Sequence, residues 1–432
     1  MAHSTHLNPF WRQPRRGLIA AASLLACLPA YATNGYFAHG YGTKSESIAG
    51  IGIALPQDAL SGATNPATLS AVGSRLDVGA QVFKPVRRGE IVGNAFGPNE
   101  QFNGDGKSIF LIPNFGYSQV INPETTVGVA VFGNGGQNTD FKNRNPYARF
   151  GATGRAGINL EQLFISPTLA YKVAPDHTLG VALNIGYQRF KATGLGFFSQ
   201  LSSSPANVSD KGNDSSAGVG VRLGYYGQVN EALSVGATYQ SKTKFGKFDK
   251  YKGLFPDQGS FDVPPSYGVG AAFKASRELT LAADVQRILH SKSPAIGNSN
   301  AALFQGVPLG AANGPSFGWR DITVVKLGGE YAVDPKLTLR AGISRAQQPI
   351  PNNQTFFNIL APGVVQTNVT LGATYAADKH NEFTFSYLHA PKKTVRGSNS
   401  IPPGNPPAGF GGGEANISLK EDAIGISWGR KF

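Results

Sequence analysis

From Ser74 to the C-terminus the chain is written mostly in short stretches where apolar and polar residues alternate. In Leu337-Thr338-Leu339-Arg340-Ala341-Gly342-Ile343-Ser344 the apolar set is 337, 339, 341 and 343. Between Asn368 and Tyr375, Val369, Leu371, Ala373 and Tyr375 oppose Asn368, Thr370, Gly372 and Thr374. Near the end, Ile424, Ile426, Trp428 and Phe432 share one face. A period of two with one apolar face is the pattern of a β-strand whose two sides meet different surroundings. Read this way, the sequence predicts 14 strands: Ser74–Val86, Ser108–Gln119, Thr125–Gly133, Glu161–Tyr171, Thr178–Lys191, Ala217–Gln228, Leu233–Gln240, Ser266–Lys274, Leu279–Ile288, Asp321–Ala332, Leu337–Ser344, Val364–Tyr375, Asn381–His389 and Ile417–Phe432.

The connections alternate as well. Six are tight, such as Asn122-Pro123-Glu124, Ala174-Pro175-Asp176 and Asp334-Pro335-Lys336. Seven are long and polar: 87–107, 134–160, 192–216, 241–265, 289–320, 345–363 and 390–416. Short turns on one side and long loops on the other are the asymmetry of an outer-membrane barrel, and a soluble β-sandwich has no reason to segregate them. Hydrocarbon offers no water to an open strand edge, so the first strand must pair with the last. The expected fold is all-β: a 14-stranded antiparallel transmembrane β-barrel, closed by a strand ending in the aromatic Phe432.

Ahead of the strands, residues 33–73 carry neither a helical nor a strand period and are rich in small residues. A compact irregular segment before many strands predicts an N-terminal hatch in the lumen, centred on Asn65-Pro66-Ala67; an ordinary external loop is the alternative. Residues 1–32 read as a secretory signal peptide. Arg12, Arg15 and Arg16 precede the apolar run Gly17–Leu28 and the small-residue site Ala30-Tyr31-Ala32. A lipid-anchored Cys27 is the weaker reading of the same stretch. Removal of the leader takes with it the one cysteine, so no disulfide is available.

Composition narrows the function. Without the leader, 36 basic residues (39 less the three arginines) face 26 acidic ones, a balance of +10. The cations are dispersed, which argues against nucleic acid as a partner; anionic outer-membrane lipid and lipopolysaccharide are the expected counterparts. His39, His177, His290, His380 and His389 lack metal-ligand spacing, so no metal and no cofactor are expected. Gly425-Ile426-Ser427-Trp428-Gly429 satisfies G-x-S-x-G, but inside a terminal strand it lacks the strand-turn-helix elbow that catalysis needs.

Several segments resemble the long-chain fatty acid transporter family of the outer membrane (FadL), which includes aromatic-hydrocarbon importers. They are Asn65-Pro66-Ala67 with Ile48–Ala54 and Asp58-Ala59 before it, Arg340–Ile343 leading to Pro349-Ile350-Pro351, Leu371–Tyr375, and Tyr387-Leu388-His389. The resemblance implies a plugged 14-stranded barrel in the outer membrane of a Gram-negative bacterium. Hydrophobic molecules would be caught by the outer loops, passed to an inner pocket, and released sideways into the membrane. It implies a passive, monomeric transporter and no enzyme. The opening Thr33-Asn34-Gly35-Tyr36-Phe37 departs from the family's best-known members, and Thr33, Tyr36 and Phe37 are expected near the pocket.

A site for a fatty acid also needs a cation for the carboxylate. By resemblance the candidates are Arg189 and Arg320, although parity puts Arg189 on the face of Leu179, Val181, Leu183 and Ile185, and both suit a rim facing lipopolysaccharide phosphates. Phe197, Phe198, Phe245, Phe248 and Phe255 are the expected capture groove. Asp284, Lys326, Glu330 and Arg340 fall on the lumen face and are expected to pair with one another or with the hatch. Gly128 and Gly133 are the candidate kinks for a gap in the wall. A general diffusion porin and an outer-membrane hydrolase are the competing functions.

Overall fold

The computed structural model describes residues 35–406 and 408–432. The leader and Thr33 lie outside the described residues. Fourteen long strands form the wall: β1 Arg75–Val92, β2 Phe110–Val120, β3 Thr125–Phe141, β4 Ala156–Ala174, β5 His177–Thr193, β6 Asp214–Gln228, β7 Leu233–Gln240, β8 Ser266–Lys274, β9 Leu279–Ile288, β10 Ile322–Ala332, β11 Leu337–Ala346, β12 Thr367–Ala376, β13 Asn381–Val395 and β14 Glu414–Lys431. Each pairs antiparallel with the next, and β14 returns to β1 in unbroken register from Arg75↔Lys431 to Val92↔Glu414. Two short strands, Glu100–Asn103 and Lys244–Phe245, extend the sheet at its outer end.

The wall is apolar outside and polar inside. On β5, Leu179, Val181, Leu183 and Ile185 are each more than 40% exposed, while Thr178, Ala182, Asn184 and Gln188 between them are buried. Bands of exposed aromatics mark the two edges of this belt: Tyr171, Phe273, Tyr331 and Tyr375 near the short turns, and Tyr187, Tyr239 and Tyr267 near the long connections. That is the outer surface of a membrane-spanning barrel.

The strand count agrees with the alternation in the sequence, but several strands run further at the outer end than that alternation predicts. β1 runs on to Val92, β3 to Phe141, β13 to Val395, and β4 and β14 begin at Ala156 and Glu414. Above the membrane the outward face meets water, so apolar alternation stops while backbone pairing continues. β12 is shorter than expected, starting at Thr367, because Val364 and Val365 are buried in the preceding loop.

Residues 35–73 lie within this ring and touch the inner face of strands on every side of it. The segment is held by local caps. Asp58 Oδ1 accepts from the Leu60 amide at 2.9 Å, and Ser61 Oγ accepts from the Asp58 amide at 3.2 Å, a reciprocal cap. Asn65 caps the next turn by accepting from the Ala67 amide (3.1 Å), with Pro66 in the first helical position, where no amide is needed. The same side chain donates to Ile53 O (2.7 Å) and to Tyr225 O on β6 (2.8 Å), so it ties two parts of the hatch to the wall.

Close approach depends on glycine in the wall. A Cβ at Gly180 would stand 2.3 Å from the Ala67 nitrogen, and one at Gly224 would stand 1.9 Å from Asn65 Oδ1. Gly236, Gly342 and Gly372 meet Ile53, Ile48 and Ser47 in the same way. Much of the chain's unusual glycine content is thereby explained: a strand glycine weakens the strand but admits another backbone.

Ions complete the seal. Lys44 of the hatch pairs with Glu382 on β13 (2.5 Å), which also pairs with Arg75 (2.5 Å). Arg75 holds Asp77 (2.6 Å), whose other oxygen accepts the Ala59 amide (2.9 Å). Asp284 accepts the Gly52 and Ile53 amides at 2.9 and 3.1 Å. Lys326 donates to Gly50 O (2.8 Å) and His39 O (3.2 Å), and Arg340 pairs with Glu330 at 3.1 Å. The four lumen-facing charges thus pair with each other or with the hatch, as their parity implies. Each buried pair is costly to split, on the order of 3–5 kcal/mol when one partner is removed.

Two predictions follow from this packing. Gly224→Leu is expected to expel the Asn65 turn while leaving the barrel closed. It should raise single-channel ion conductance in planar bilayers without abolishing heat-modifiable mobility on gels, and a silent variant with unchanged melting would count against the fit. The second concerns Glu46, buried in the hatch with no hydrogen-bond partner for Oε2 among the described residues. Burial, helped by nearby Asp58, pushes its carboxyl up to about 8 from 4.5. The folded form therefore holds this proton while the unfolded chain releases it, and stability falls as pH rises between 4.5 and about 8. Melting of Glu46→Gln should match the native chain below that window, exceed it progressively across the window and by a constant margin above it, and parallel curves would contradict the assignment.

Candidate functional site

Above the hatch lies a cavity of about 750 Å³. Its floor is Tyr36, Phe37, His39 and Tyr41 of the hatch, and its walls are Phe83, Phe110, Ile112, Phe132 and Leu160. The rings are packed together: Tyr41 on Phe132 at 4.4 Å between centroids, and Phe132 stacked on Phe164 at 5.9 Å. Polar groups, among them Arg87, Gln137, Asn138 and Glu421, occupy part of the lining. Volume and lining are those of a site for a mainly apolar small molecule with a few orienting groups.

The same cavity is also lined by Ile109, Leu111, Leu163, Tyr187 and Arg189. Four of these are outward apolar residues, with Ile109 63% and Leu111 70% exposed. A cavity bordered by both faces of the wall passes through it. The register shows where. β2 and β3 pair from Val120↔Thr126 to Phe115↔Val131, and there the ladder stops. Beyond that point β2 keeps its pairing to β1 as far as Phe83↔Phe110, and β3 keeps its pairing to β4 up to Phe141↔Ala156. The wall is split over residues 110–114 of β2.

A bulge in β3 forms the other side of the split. Gly133 faces Leu163 and Gly135 faces Gln162, so Asn134 is the extra residue. Gly135 has φ 150°, and a Cβ there would stand 1.9 Å from Tyr36 O. The hatch supplies the missing backbone partners: Ala38 N donates to Asn134 O (2.8 Å) and Gly136 N to Tyr36 O (3.2 Å). Asn134 Oδ1 accepts from Tyr41 (3.0 Å), and its amide donates to Gln162 (3.2 Å), which donates on to Gln188 (3.1 Å).

The expected site residues separate into three groups. Tyr36 and Phe37 are buried at the cavity floor, where Tyr36 stands 6.1 Å from both His290 and Trp319, ring to ring. Arg189 is outward, as its parity indicates, with no bulge between β5 and β6. It sits on the outer lip of the split, where it and Lys107 reach the two oxygens of Glu161 at 2.5 and 3.8 Å. Arg320 is exposed at the entry to β10 and is not among the cavity's lining residues.

The five phenylalanines of the outer connections form a packed cluster here, not an open groove. Phe198, Phe248 and Phe255 are at most 3% exposed. Phe255 lies on Phe190 at 4.7 Å, Phe248 on Phe190 at 5.6 Å, Phe197 on Phe410 at 5.6 Å and Phe245 against Phe164 at 6.2 Å. Phe198 and Phe255 border a space of only about 40 Å³. Of the two candidate glycines for the gap, Gly133 lies beside it, where a Cβ would meet Ile112 at 2.9 Å. Gly128 does not; it pairs with Ser118 and Thr168 and packs on Leu69 of the hatch. The sequence reading missed His290, Trp319 and the Asn134 bulge, although Gly133-Asn134-Gly135-Gly136 in a strand-forming context is a bulge signal. Ser427 lies mid-strand, paired with Gly79 and Thr384, with no elbow around it.

Solved structures that resemble this fold include the following. The P. putida toluene transporter TodX superposes with a TM-score of 0.68 at 16% identity, covering 91% of this chain and 99% of its own. The Ralstonia pickettii toluene transporter TbuX gives 0.63 at 18%, covering 91% and 99%. A Pseudomonas aeruginosa FadL homologue gives 0.68 at 15%, covering 92% and 100%. No curated protein matches the chain at a significant level. The sequence matches the outer membrane protein transport protein family (OMPP1/FadL/TodX) over residues 29–406, and with its closed barrel and wall-crossing cavity the chain belongs to that family of outer-membrane transporters for hydrophobic compounds.

Proposed function

We propose that this protein carries hydrophobic molecules passively from its outer loops to the outer membrane, by way of the cavity above the hatch and the split between β2 and β3. The observation that carries the proposal is a single cavity lined by both lumen-facing Phe132 and lipid-facing Leu111. A straight path is closed by the hatch, whereas the split leads from an aromatic chamber to the apolar belt. Transfer of each methylene from water to such surroundings is worth about 0.8 kcal/mol, and no gradient coupling is needed when the exit is also apolar.

The cargo class proposed is hydrocarbons and long-chain fatty acids. TodX and TbuX are toluene transporters, and a chamber of about 750 Å³ has room for larger molecules than toluene. Entry requires the packed phenylalanines of the outer connections to part, with Phe197, Phe198, Phe245, Phe248 and Phe255 as the capture surface. Tyr36 and Phe37, with Thr33 before them, are the proposed inner contacts. A leader at residues 1–32 and a monomeric barrel complete the reading.

The test is a latch across the split. Ile112→Cys with Gly133→Cys places two thiols where a Cβ and Ile112 already meet at 2.9 Å. Oxidation is expected to stop uptake of a labelled hydrophobic compound in whole cells, and reduction to restore it. Undiminished uptake with the disulfide formed would exclude sideways exit.

A further inference from the structure

The outer rim of the barrel carries a feature that transport does not use. On three adjacent strands, immediately above the apolar belt, stand Arg287 of β9, Arg320 at the entry to β10, and Arg345 of β11. Arg320 and Arg345 are exposed, and Arg287 is half-buried. Arg287 lies opposite Thr323 and Arg345 opposite Val325, so the two flank β10 two residues apart. With sheet spacing that separates their Cα atoms by about 12 Å, within joint reach of one headgroup.

What surrounds them decides what they can hold. Below lie Val285, Val325 and Leu327, each more than 40% exposed to lipid. Beside Arg287 on the neighbouring strand is Tyr267, half exposed, in the aromatic band of the outer edge. The guanidinium of Arg287 donates to Thr323 Oγ1 (2.9 Å) and Gln347 Oε1 (3.2 Å), both neutral. The nearby carboxylate, Asp321, accepts the Ser291 amide at 2.9 Å. Elsewhere on the rim, Arg189 is held by Glu161, and Lys420 and His389 share Asp422.

We propose that the outward face of β9–β11 binds the phosphorylated sugar headgroup of an acylated glycolipid of the outer leaflet, with Arg287 and Arg345 on phosphate and Arg320 as the third cation. The acyl chains would lie down the belt over Val285, Val325 and Leu327. Arginine suits this role, since its planar fork matches phosphate oxygens in pairs and it is weakly hydrated.

The test uses the purified full-length protein in detergent, titrated with bisphosphorylated lipid A, with the same lipid freed of both phosphates, and with inorganic phosphate. Native mass spectrometry reads the bound lipid. The intact protein is expected to retain bisphosphorylated lipid A at least about tenfold more tightly than the dephosphorylated form, and Arg287→Gln/Arg345→Gln to lose about tenfold in affinity. Lys84→Gln/Lys420→Gln, on the far rim, should bind as the unaltered protein does. Equal binding of the two lipids, or undiminished binding by the arginine variant, would overturn the site. Binding of inorganic phosphate as tight as that of the lipid would overturn its assignment to a lipid. Heat-modifiable mobility and unchanged uptake by the arginine variant would establish that its barrel is intact.

Discussion

Backbone hydrogen bonding without water is the constraint on which this structure depends. In hydrocarbon every amide and carbonyl of the wall needs a partner from the protein itself. Fourteen strands closed on themselves meet that demand almost everywhere. The longest break among the described residues is where β2 and β3 part beyond Phe115↔Val131. There Tyr36 and Ala38 of the hatch pair with Gly136 and Asn134 of the bulged strand. The opening is tolerated because another stretch of the same chain supplies partners from inside.

The hatch therefore acts twice. Its lower part, locked by Asn65, by wall glycines and by the Lys44–Glu382–Arg75–Asp77 ion network, closes the bore. Its first residues shape the floor of the chamber and one edge of the exit. Anything that moves Tyr36 and Phe37 thus acts on pocket and exit together. The contacts are of different strengths in the two regions: buried charges hold the lower part, whereas aromatic packing and two backbone bonds hold the upper. Motion is expected where burial of charge does not oppose it.

Much of the architecture is legible in the sequence because the membrane enforces a simple alternation. Leu179, Val181, Leu183 and Ile185 must face lipid, and their period of two exposes β5 directly. The same rule fails above the belt, where Arg88 or Lys393 faces surroundings as polar as the inside, so the sequence pattern there predicts loops where strands continue. The Asn65-Pro66-Ala67 turn is readable because Asn-Pro is a turn signal; its glycine partners on β5 and β6 are not, because glycine has many uses. Gly133 pointed to the split, but Gly128 has equal claim in one dimension and proves to serve hatch packing. Arg320 shows the limit most clearly. By resemblance it is a candidate carboxylate anchor and it equally suits the rim; the fold leaves it exposed at the entry to β10, away from the residues that line the chamber.

The most direct test of the central claim is to map the path of the cargo. A hydrophobic compound carrying a diazirine would be photolysed during uptake and the modified residues found by mass spectrometry. The account predicts labels on Phe132 and Ile112 inside and on Ile109, Leu111 and Tyr187 outside, with the lower hatch unlabelled. Labels running instead through residues 43–71 to the short turns, with none on the outer face between β2 and β3, would contradict it.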